Sequence, residues 1–240
     1  MNFSHLYSTR PVKSVDEDLA DILETFRDLI KKGKTTVKLI NYYHGLPLSF
    51  PATLISVDHG MLDLDIHPQQ AVAIERDHYT FIRCDAFKWD LCANVQYVNA
   101  QKRAATLTRF FFIEILAEKR NAVRLKLIPP TDATFESNGT PLIHGKLVDL
   151  SMNGFALSTV TAPECEAGLE AQIHFVLPNL LQGTQSSFKI PATFVGAIEG
   201  EKSYLCKFAI SVDKNLEQLI SKYIFQRQVE IIQELREASF

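Results

Sequence analysis

The spacing of hydrophobic positions along this chain changes twice. Between residues 14 and 32 they recur at helical spacing, which predicts one amphipathic helix. Ser14 and Glu17 have the spacing of a capping box, in which side chains satisfy the free amides of the first helical turn. We predict that this helix packs on a neighbouring sheet. The alternative is a helix offered to a partner or a second subunit.

From residue 35 to residue 117 the hydrophobic period becomes two. Short stretches rich in β-branched and aromatic residues, such as "TTVKLIN" and "ATLISVD", are separated by the turn signals "DHG" and "HPQQ". No helical pattern intervenes between them. Successive short strands of this kind predict a small antiparallel barrel.

A second β-rich run extends from residue 120 to about residue 210 and contains six strand candidates, which predicts a six-stranded barrel. Helical spacing returns at Asp213, a favourable N-cap residue. The predicted fold class is therefore mainly β, with two small antiparallel β-barrels, an N-terminal helix and a C-terminal helix. The predicted domains are residues 1–34, 35–117 and 118–240.

Composition limits the classes of function. The chain has 240 residues, 46% hydrophobic and 22% charged, with a formal net charge of -3. This balance is typical of globular proteins and argues against general nucleic-acid binding, so an anion site must be local. No apolar run reaches the roughly 18 residues of a membrane span. The first residues lack the apolar region of a secretory signal, and four cysteines without a CxxC pair fit a reducing cytoplasm.

One stretch, "DLDIH", could suggest a metal site, because Asp63, Asp65 and His67 would share one strand face. The opposite face is apolar, so we predict an ordinary solvated strand face and no metal. The chain also shows no nucleophile elbow, P-loop, Ser-His-Asp order or paired-carboxylate motif with a convincing spacing. We therefore predict that the protein is not an enzyme.

A cationic motif stands at the start of the second β-rich run. Arg120 and Arg124 are four residues apart, Lys119 precedes them, and no acidic residue lies between. Residues at this spacing share a face in a helix and in a strand, so we expect the two guanidiniums to point the same way. This favours an anion-binding site. The alternative is a solvated run of charges.

A polar motif, "DLSMNG", stands between two apolar strand candidates. Asn153-Gly154 predicts a two-residue hairpin turn, because both residue types tolerate positive φ. The simplest interpretation is a tight turn in which Asp149 and Ser151 bond to their own backbone. The functional interpretation is a carboxylate acceptor, a hydroxyl, and a glycine that lets a flat ligand approach the backbone.

The order of the two motifs carries more information than either alone. An RxxxR motif followed about 25 residues later by DxSxxG resembles the PilZ domain, the bacterial receptor for cyclic di-GMP. The resemblance covers roughly residues 119–237. With a small barrel before it, the layout is similar to the YcgR-like flagellar brake family, which joins a PilZN-type, split-barrel-like N-terminal domain to a PilZ domain.

The resemblance implies a ligand site. Arginine meets the O6 and N7 acceptors of guanine bidentately and also binds phosphate, while guanine N–H groups need a carboxylate acceptor. Arg120 and Arg124 are thereby assigned to guanine and phosphate, and Asp149, Ser151 and Gly154 to guanine recognition. Lys119 and Asn153 are assigned as peripheral contacts. No cofactor and no metal are implied.

The resemblance also implies a function. Cyclic di-GMP would bind at the interdomain junction, change the domain arrangement and so regulate a protein partner such as a flagellar motor component. The expected location is the cytoplasm, with association with the flagellar basal body. A ligand-independent interaction module of the same fold is the alternative. An enzyme, or a single-strand binder that stacks bases on Trp89 and residues 110–112, is the third reading.

Overall fold

The computed structural model describes residues 6–178, 184–211 and 213–239. Two compact units make up the chain. The first comprises residues 1–43, 47–121 and 232–240, and the second comprises residues 44–46 and 122–231. Among the described residues, no helix is long and apolar enough to cross a membrane. The four cysteines, all within the described ranges, are free thiols.

The first unit is built on a seven-stranded antiparallel sheet with the order β1-β7-β4-β3-β2-β5-β6. Because β6 also pairs with β7, six of the strands close into a ring, which confirms the predicted small barrel. The strands are β1 (Tyr7–Thr9), β2 (Thr36–Tyr43), β3 (Leu46–Asp58), β4 (Met61–Asp65), β5 (Tyr79–Arg83), β6 (Asp90–Asn99) and β7 (Ala104–Ile115).

Helix α1 (Val15–Lys31) matches its prediction and packs on β7. The capping box is formed, since the Glu17 amide donates to Ser14 Oγ (3.4 Å) and the Ser14 amide donates to Glu17 Oε2 (3.2 Å). Phe26 is fully buried and meets Phe87 and Phe110 edge-to-face, at centroid distances of 5.3 and 5.8 Å. The apolar stripe of α1 is thus core, because burying these rings removes much apolar area from water.

A second helix, α2 (Pro68–Asp77), interrupts the strands of the first unit, so the prediction of strands without intervening helices was wrong. It begins in the stretch "HPQQ", which suggested a turn. His67 is its N-cap and accepts from the Gln69 amide (3.2 Å), and Pro68 occupies the first turn, where its missing N–H costs nothing. Proline after a capping residue is a helix-start signal as well as a turn signal.

The three side chains of "DLDIH" each have their own partner. Asp63 accepts from Ser56 Oγ (2.8 Å) and Thr106 Oγ1 (2.7 Å), and Asp65 lies 3.3 Å from Arg103. His67 caps α2, as described above. Within the described residues, no group of three or more His, Cys, Asp or Glu side chains is arranged to hold a metal ion.

The run of three phenylalanines at residues 110–112 is largely interior. Phe110 is buried in the main core of the first unit, and the partly buried Phe111 and Phe112 pack against its two core clusters. These rings are therefore committed to packing, whereas base stacking requires exposed aromatic faces.

The second unit is a closed antiparallel barrel with the strand order β10-β13-β12-β11-β8-β9, as predicted. Phe208 lies at its centre and packs against Phe155 (4.8 Å), Phe135 (4.9 Å) and Phe194 (5.4 Å). The strands are β8 (Leu125–Ser137), β9 (Thr140–Ser151), β10 (Gly154–Thr159), β11 (Glu170–Pro178), β12 (Gln185–Glu199) and β13 (Tyr204–Ile210). Helix α3 (Lys214–Glu237) follows them, and its residues up to 231 belong to this unit. Asp213 caps α3 by accepting from the Leu216 amide (2.8 Å), as its residue type predicted.

Candidate ligand-binding site

The RxxxR motif lies on the connection between the two units. Arg120 follows a 3-10 turn (Leu116–Lys119) and has extended backbone angles, φ -78° and ψ 135°. Arg124 immediately precedes β8. The premise that the motif is helix or strand was therefore wrong, and residue spacing alone does not orient its side chains. The division between the units falls between Asn121 and Ala122, inside the motif.

An arginine of the first unit holds the segment that leads into Arg120. Arg83 donates to both oxygens of Asp90 (2.9 and 2.7 Å) and to both oxygens of Glu118 (3.2 and 2.6 Å). These bonds, first to Asp90 and then to Glu118, raise the pKa of Arg83. Bidentate arginine–carboxylate pairs impose geometry as well as attraction. The 3-10 turn is thus fixed on β5 and β6 two residues before Arg120.

Lys119, assigned as a peripheral contact, is already paired. Its Nζ lies 2.5 Å from Glu114 Oε1, and Arg10 reaches the other oxygen of the same carboxylate. Lys119, with a smaller contribution from Arg10, lowers the pKa of Glu114. A ligand phosphate would have to compete with Glu114 for this lysine.

Arg120 lies near the half-buried ring of Tyr42. Burial is the main reason that the pKa of Tyr42 rises to about 12, the charge of Glu118 adds to the rise, and the charge of Arg120 opposes it. Arg120 is itself half-buried. The first arginine of the motif is therefore a positive charge set among aromatic and charged side chains of the first unit.

The DxSxxG motif lies beside the start of β8. Leu125 pairs with Leu150, and Lys126 pairs with Asp149, which also faces Ala156 across β10. Leu125 and Leu150 are buried in the barrel, so the alternation of strand side chains puts Lys126 and Asp149 on its outer face.

The regular strand pairing around Lys126 and Asp149 is short. The pairing of β8 with β9 shifts register between the pairs Lys126–Asp149 and Thr131–Leu147, and the pairing of β9 with β10 shifts between Asp149–Ala156 and Leu147–Leu157. Irregularities of this kind are frequent next to binding sites, because they redirect side chains. Arg124 and Asp149 thus belong to the same end of one barrel, bounded by two register shifts.

The hairpin of the second motif differs from its prediction. Ser151 pairs with Gly154, so the two-residue turn is Met152-Asn153, and Gly154 is the first residue of β10 without positive φ. A Cβ on Gly154 would lie 2.3 Å from the carbonyl oxygen of Phe208. The structure therefore requires glycine here for the close approach of β10 to β13, and not for the turn.

Ser151 has a structural bond of its own. It is 3% exposed, and its hydroxyl donates to the Gly154 carbonyl (2.8 Å) across the turn. A hydroxyl has one proton and two lone pairs, so Ser151 in this state can accept a hydrogen bond but cannot donate to a phosphate. Asn153 is exposed at the tip of the turn, whereas Asp149 is half-buried.

Comparison with known proteins agrees with the motifs. The family model described as "PilZ domain" matches residues 118–226. This segment is therefore similar to PilZ domains. The matched segment contains both motifs and the complete six-stranded barrel. A search of curated proteins found no match.

Three of the solved structures that match this chain have the following similarity to it. The YcgR–c-di-GMP complex of Escherichia coli shares 16% identity over 99% of both chains, with a TM-score of 0.43. The K. pneumonia MrkH–c-di-GMP complex shares 12% over 95% of this chain and 99% of that chain, with a TM-score of 0.46. Bacillus subtilis MotI/DgrA, an inhibitor of motility, shares 11% identity over 82% of this chain and 96% of that chain, with a TM-score of 0.42.

Two residues or segments at the motif end of the second barrel were not predicted from the sequence. Lys126 is directly opposite Asp149, and period-two alternation in "LKL" could have placed it on the outer face. The turn at His44 and Gly45 could not have been found, because it is some 80 residues earlier in the chain. A cavity of about 570 Å³ in the same unit lies between residues 127–132 and α3 and includes no motif residue.

Proposed function

We propose that this protein is a receptor for cyclic di-GMP and that it carries out no chemical transformation. The observation that supports the proposal is the strand pairing just after Arg124, where Leu125 and Lys126 pair with Leu150 and Asp149 of the second motif. In the proposed site Arg124, the residue before β8, provides a guanidinium, and Asp149 provides a carboxylate. Guanine needs this combination, since it has paired acceptors on one edge and N–H donors on another.

In this proposal the seven assigned residues have different roles. Arg120, Arg124 and Asp149 contact the ligand directly. Ser151 and Gly154 act mainly by shaping the hairpin that carries Asp149, because the Ser151 proton bonds to Gly154 and the Gly154 α-carbon faces Phe208. Lys119 and Asn153 stay at the periphery, and Lys119 becomes available only when Glu114 releases it.

A calorimetric titration with cyclic di-GMP tests the proposal. A charge-assisted hydrogen bond contributes about 1.5–3 kcal/mol, so Arg120→Ala or Arg124→Ala should weaken binding by about tenfold or more. The matched control is Arg27→Ala, which removes the same charge from an exposed position on α1. Unchanged binding by Arg27→Ala, together with weaker binding by the two motif variants, supports the assignment of the ligand site. No binding heat with the unaltered protein at micromolar ligand would favour the ligand-independent interaction module.

We further propose that ligand binding changes the arrangement of the domains. The division between the units falls inside RxxxR, so a ligand that contacts both arginines joins segments that belong to different units. A ligand shifts a conformational equilibrium only by its differential affinity for the two states. Small-angle scattering with and without saturating ligand measures this change, and identical profiles despite tight binding would refute it.

The output in this proposal is regulation of a protein partner, with the flagellar motor as the first candidate because of the YcgR-like layout. Motility of the host bacterium provides the test. Cells that express the unaltered protein should swim less at high cyclic di-GMP, and cells that express Arg124→Ala should not. Equal swimming of the two strains, with equal protein levels, would exclude a motor role that depends on the ligand.

A further inference from the structure

A turn far from both motifs in sequence lies against the backbone of Arg124. Residues 44–46 belong to the same compact unit as the PilZ barrel. The Lys126 amide donates to the His44 carbonyl (2.9 Å). Gly45, with φ +87°, is so close to Arg124 that a Cβ on it would lie 2.0 Å from the Arg124 carbonyl oxygen and 3.2 Å from the Leu125 α-carbon.

These two contacts flank Leu125, the first residue of β8. The strand pairing of β8 begins at Leu125 opposite Leu150, and Arg124 stands just outside it. The turn therefore meets the carbonyl of Arg124 on one side of Leu125 and the amide of Lys126 on the other. Lys126 is in turn the cross-strand partner of Asp149. One short turn thus contacts the segment that links the second arginine to the recognition carboxylate.

We propose that the His44–Gly45 turn is a positioning element of the ligand site, which sets the backbone of Arg124 relative to Asp149. Gly45 is the residue that makes the approach possible, because no side chain fits between it and the Arg124 carbonyl. This inference rests on the proposed cyclic di-GMP binding and adds a third segment to the two PilZ motifs. The ligand itself is not contacted by the turn.

A turn that only stabilises the fold and a turn that positions Arg124 lead to different expected results. If the turn only stabilises the fold, a change at Gly45 lowers stability and leaves the affinity of the folded protein unchanged. If it positions Arg124, the affinity falls in protein that is still folded, and the loss depends on the Arg124 side chain. A double-mutant cycle separates these cases, because it measures the coupling between two positions.

The chain offers a matched control for Gly45. Gly60, in the turn between β3 and β4, has a similar left-handed backbone with φ +79° and has no atom within 4 Å of a Cβ position. Gly45→Ala and Gly60→Ala therefore introduce the same conformational strain, and only the first introduces the clash with Arg124. Gly45→Asn and Gly60→Asn form a second pair, since asparagine tolerates left-handed angles and the clash remains.

The experiment is a cyclic di-GMP titration of both pairs at a temperature where thermal melts show each variant folded. We expect Gly45→Ala to bind about tenfold more weakly and Gly60→Ala to bind within about twofold of the unaltered protein, as for loss of one charge-assisted bond. With Arg124→Ala already present, Gly45→Ala should reduce the affinity by less than about twofold more. Faster hydrogen exchange at the Lys126 amide should confirm that the contact is broken.

Two results overturn the inference separately from the proposed function. Equal affinities of the Gly45 and Gly60 variants, with faster exchange at Lys126, show that the turn does not position Arg124 although the ligand binds. A full additional loss in the Arg124→Ala background shows that the turn acts by another route. Absence of binding by the unaltered protein overturns the proposed function, and the positioning role with it.

Discussion

The structure and the sequence motif suggest different reasons why residue 154 is a glycine. The motif suggests a glycine that gives a ligand room, whereas the structure brings the Phe208 carbonyl to 2.3 Å from the position of a Cβ. We predict that Gly154→Ala destabilises the second barrel. Because Gly154 lacks positive φ, alanine adds no conformational strain there, and the clash is the whole perturbation.

The geometry sets the size of the effect. Side-chain Cβ atoms essentially never approach other atoms closer than 3.0 Å, so β10 and β13 must separate by most of an ångström at this point. Both atoms belong to paired backbone, since Gly154 faces Ala209 and Phe155 faces Phe208. Overpacking a rigid site costs about 1–3 kcal/mol. In a chain of this size, each kcal/mol lowers the Tm by about 2–4 °C, which predicts a decrease of roughly 2–12 °C.

Thermal unfolding followed by circular dichroism measures this decrease. Gly139→Ala is the control, because Gly139 has φ +79° in the β8–β9 turn but nothing within 4 Å of a Cβ. Its melt reports left-handed strain alone. If Gly154→Ala has the same Tm as the unaltered protein, the backbone at Phe208 moves aside at little cost and our reasoning fails. If such a stable variant also loses cyclic di-GMP binding, Gly154 is required for ligand approach, as the motif suggested.

Three further predictions concern recognition of the ligand base, the stability of the Ser151 hairpin and the stability of the fold at low pH. Cyclic di-AMP should bind at least about tenfold more weakly than cyclic di-GMP, because adenine places an amino donor where the arginine fork needs an acceptor; equal affinities in competition titrations would show that only phosphate is recognised. Ser151→Ala should cost about 1–3 kcal/mol in chemical denaturation, because the buried Gly154 carbonyl loses its donor; an unchanged midpoint would show that it finds another. Lys119 lowers the pKa of Glu114, so this carboxylate stabilises the fold above its ordinary pKa of 4.5, and the contribution is lost as the pH falls through its lower folded value. The free energy of unfolding of Glu114→Gln should therefore depend less on pH in the acid range, and an unchanged pH profile would contradict this.

Sequence reasoning was most accurate where local chemistry decides the structure. The ends of α1 follow from Ser14, Glu17 and the helical stripe, and the six-stranded barrel follows from strands of period two. The error at α2 has a local cause as well, because proline after a polar residue is compatible with both a turn and a helix start.

The motifs were found from the sequence, but their geometry was not. Periodicity assumes a regular element, and the RxxxR motif lies on an irregular connection where spacing does not orient side chains. The turn residue was misassigned for a similar reason. Asn153-Gly154 has the strongest local turn preference, yet pairing across the barrel shifted the turn by one residue and gave Gly154 a packing role.

The sequence by itself determined which groups are available: two arginines, a carboxylate and a hairpin glycine, each recognisable from residue type and spacing. Tertiary structure alone decided which groups meet. Closing the barrel placed Lys126 opposite Asp149 and brought Phe208 against Gly154, and packing placed the distant turn at Gly45 against Arg124. The physical reason is that residue type acts over a few neighbouring positions, whereas contacts between distant segments depend on the register and closure of the whole sheet.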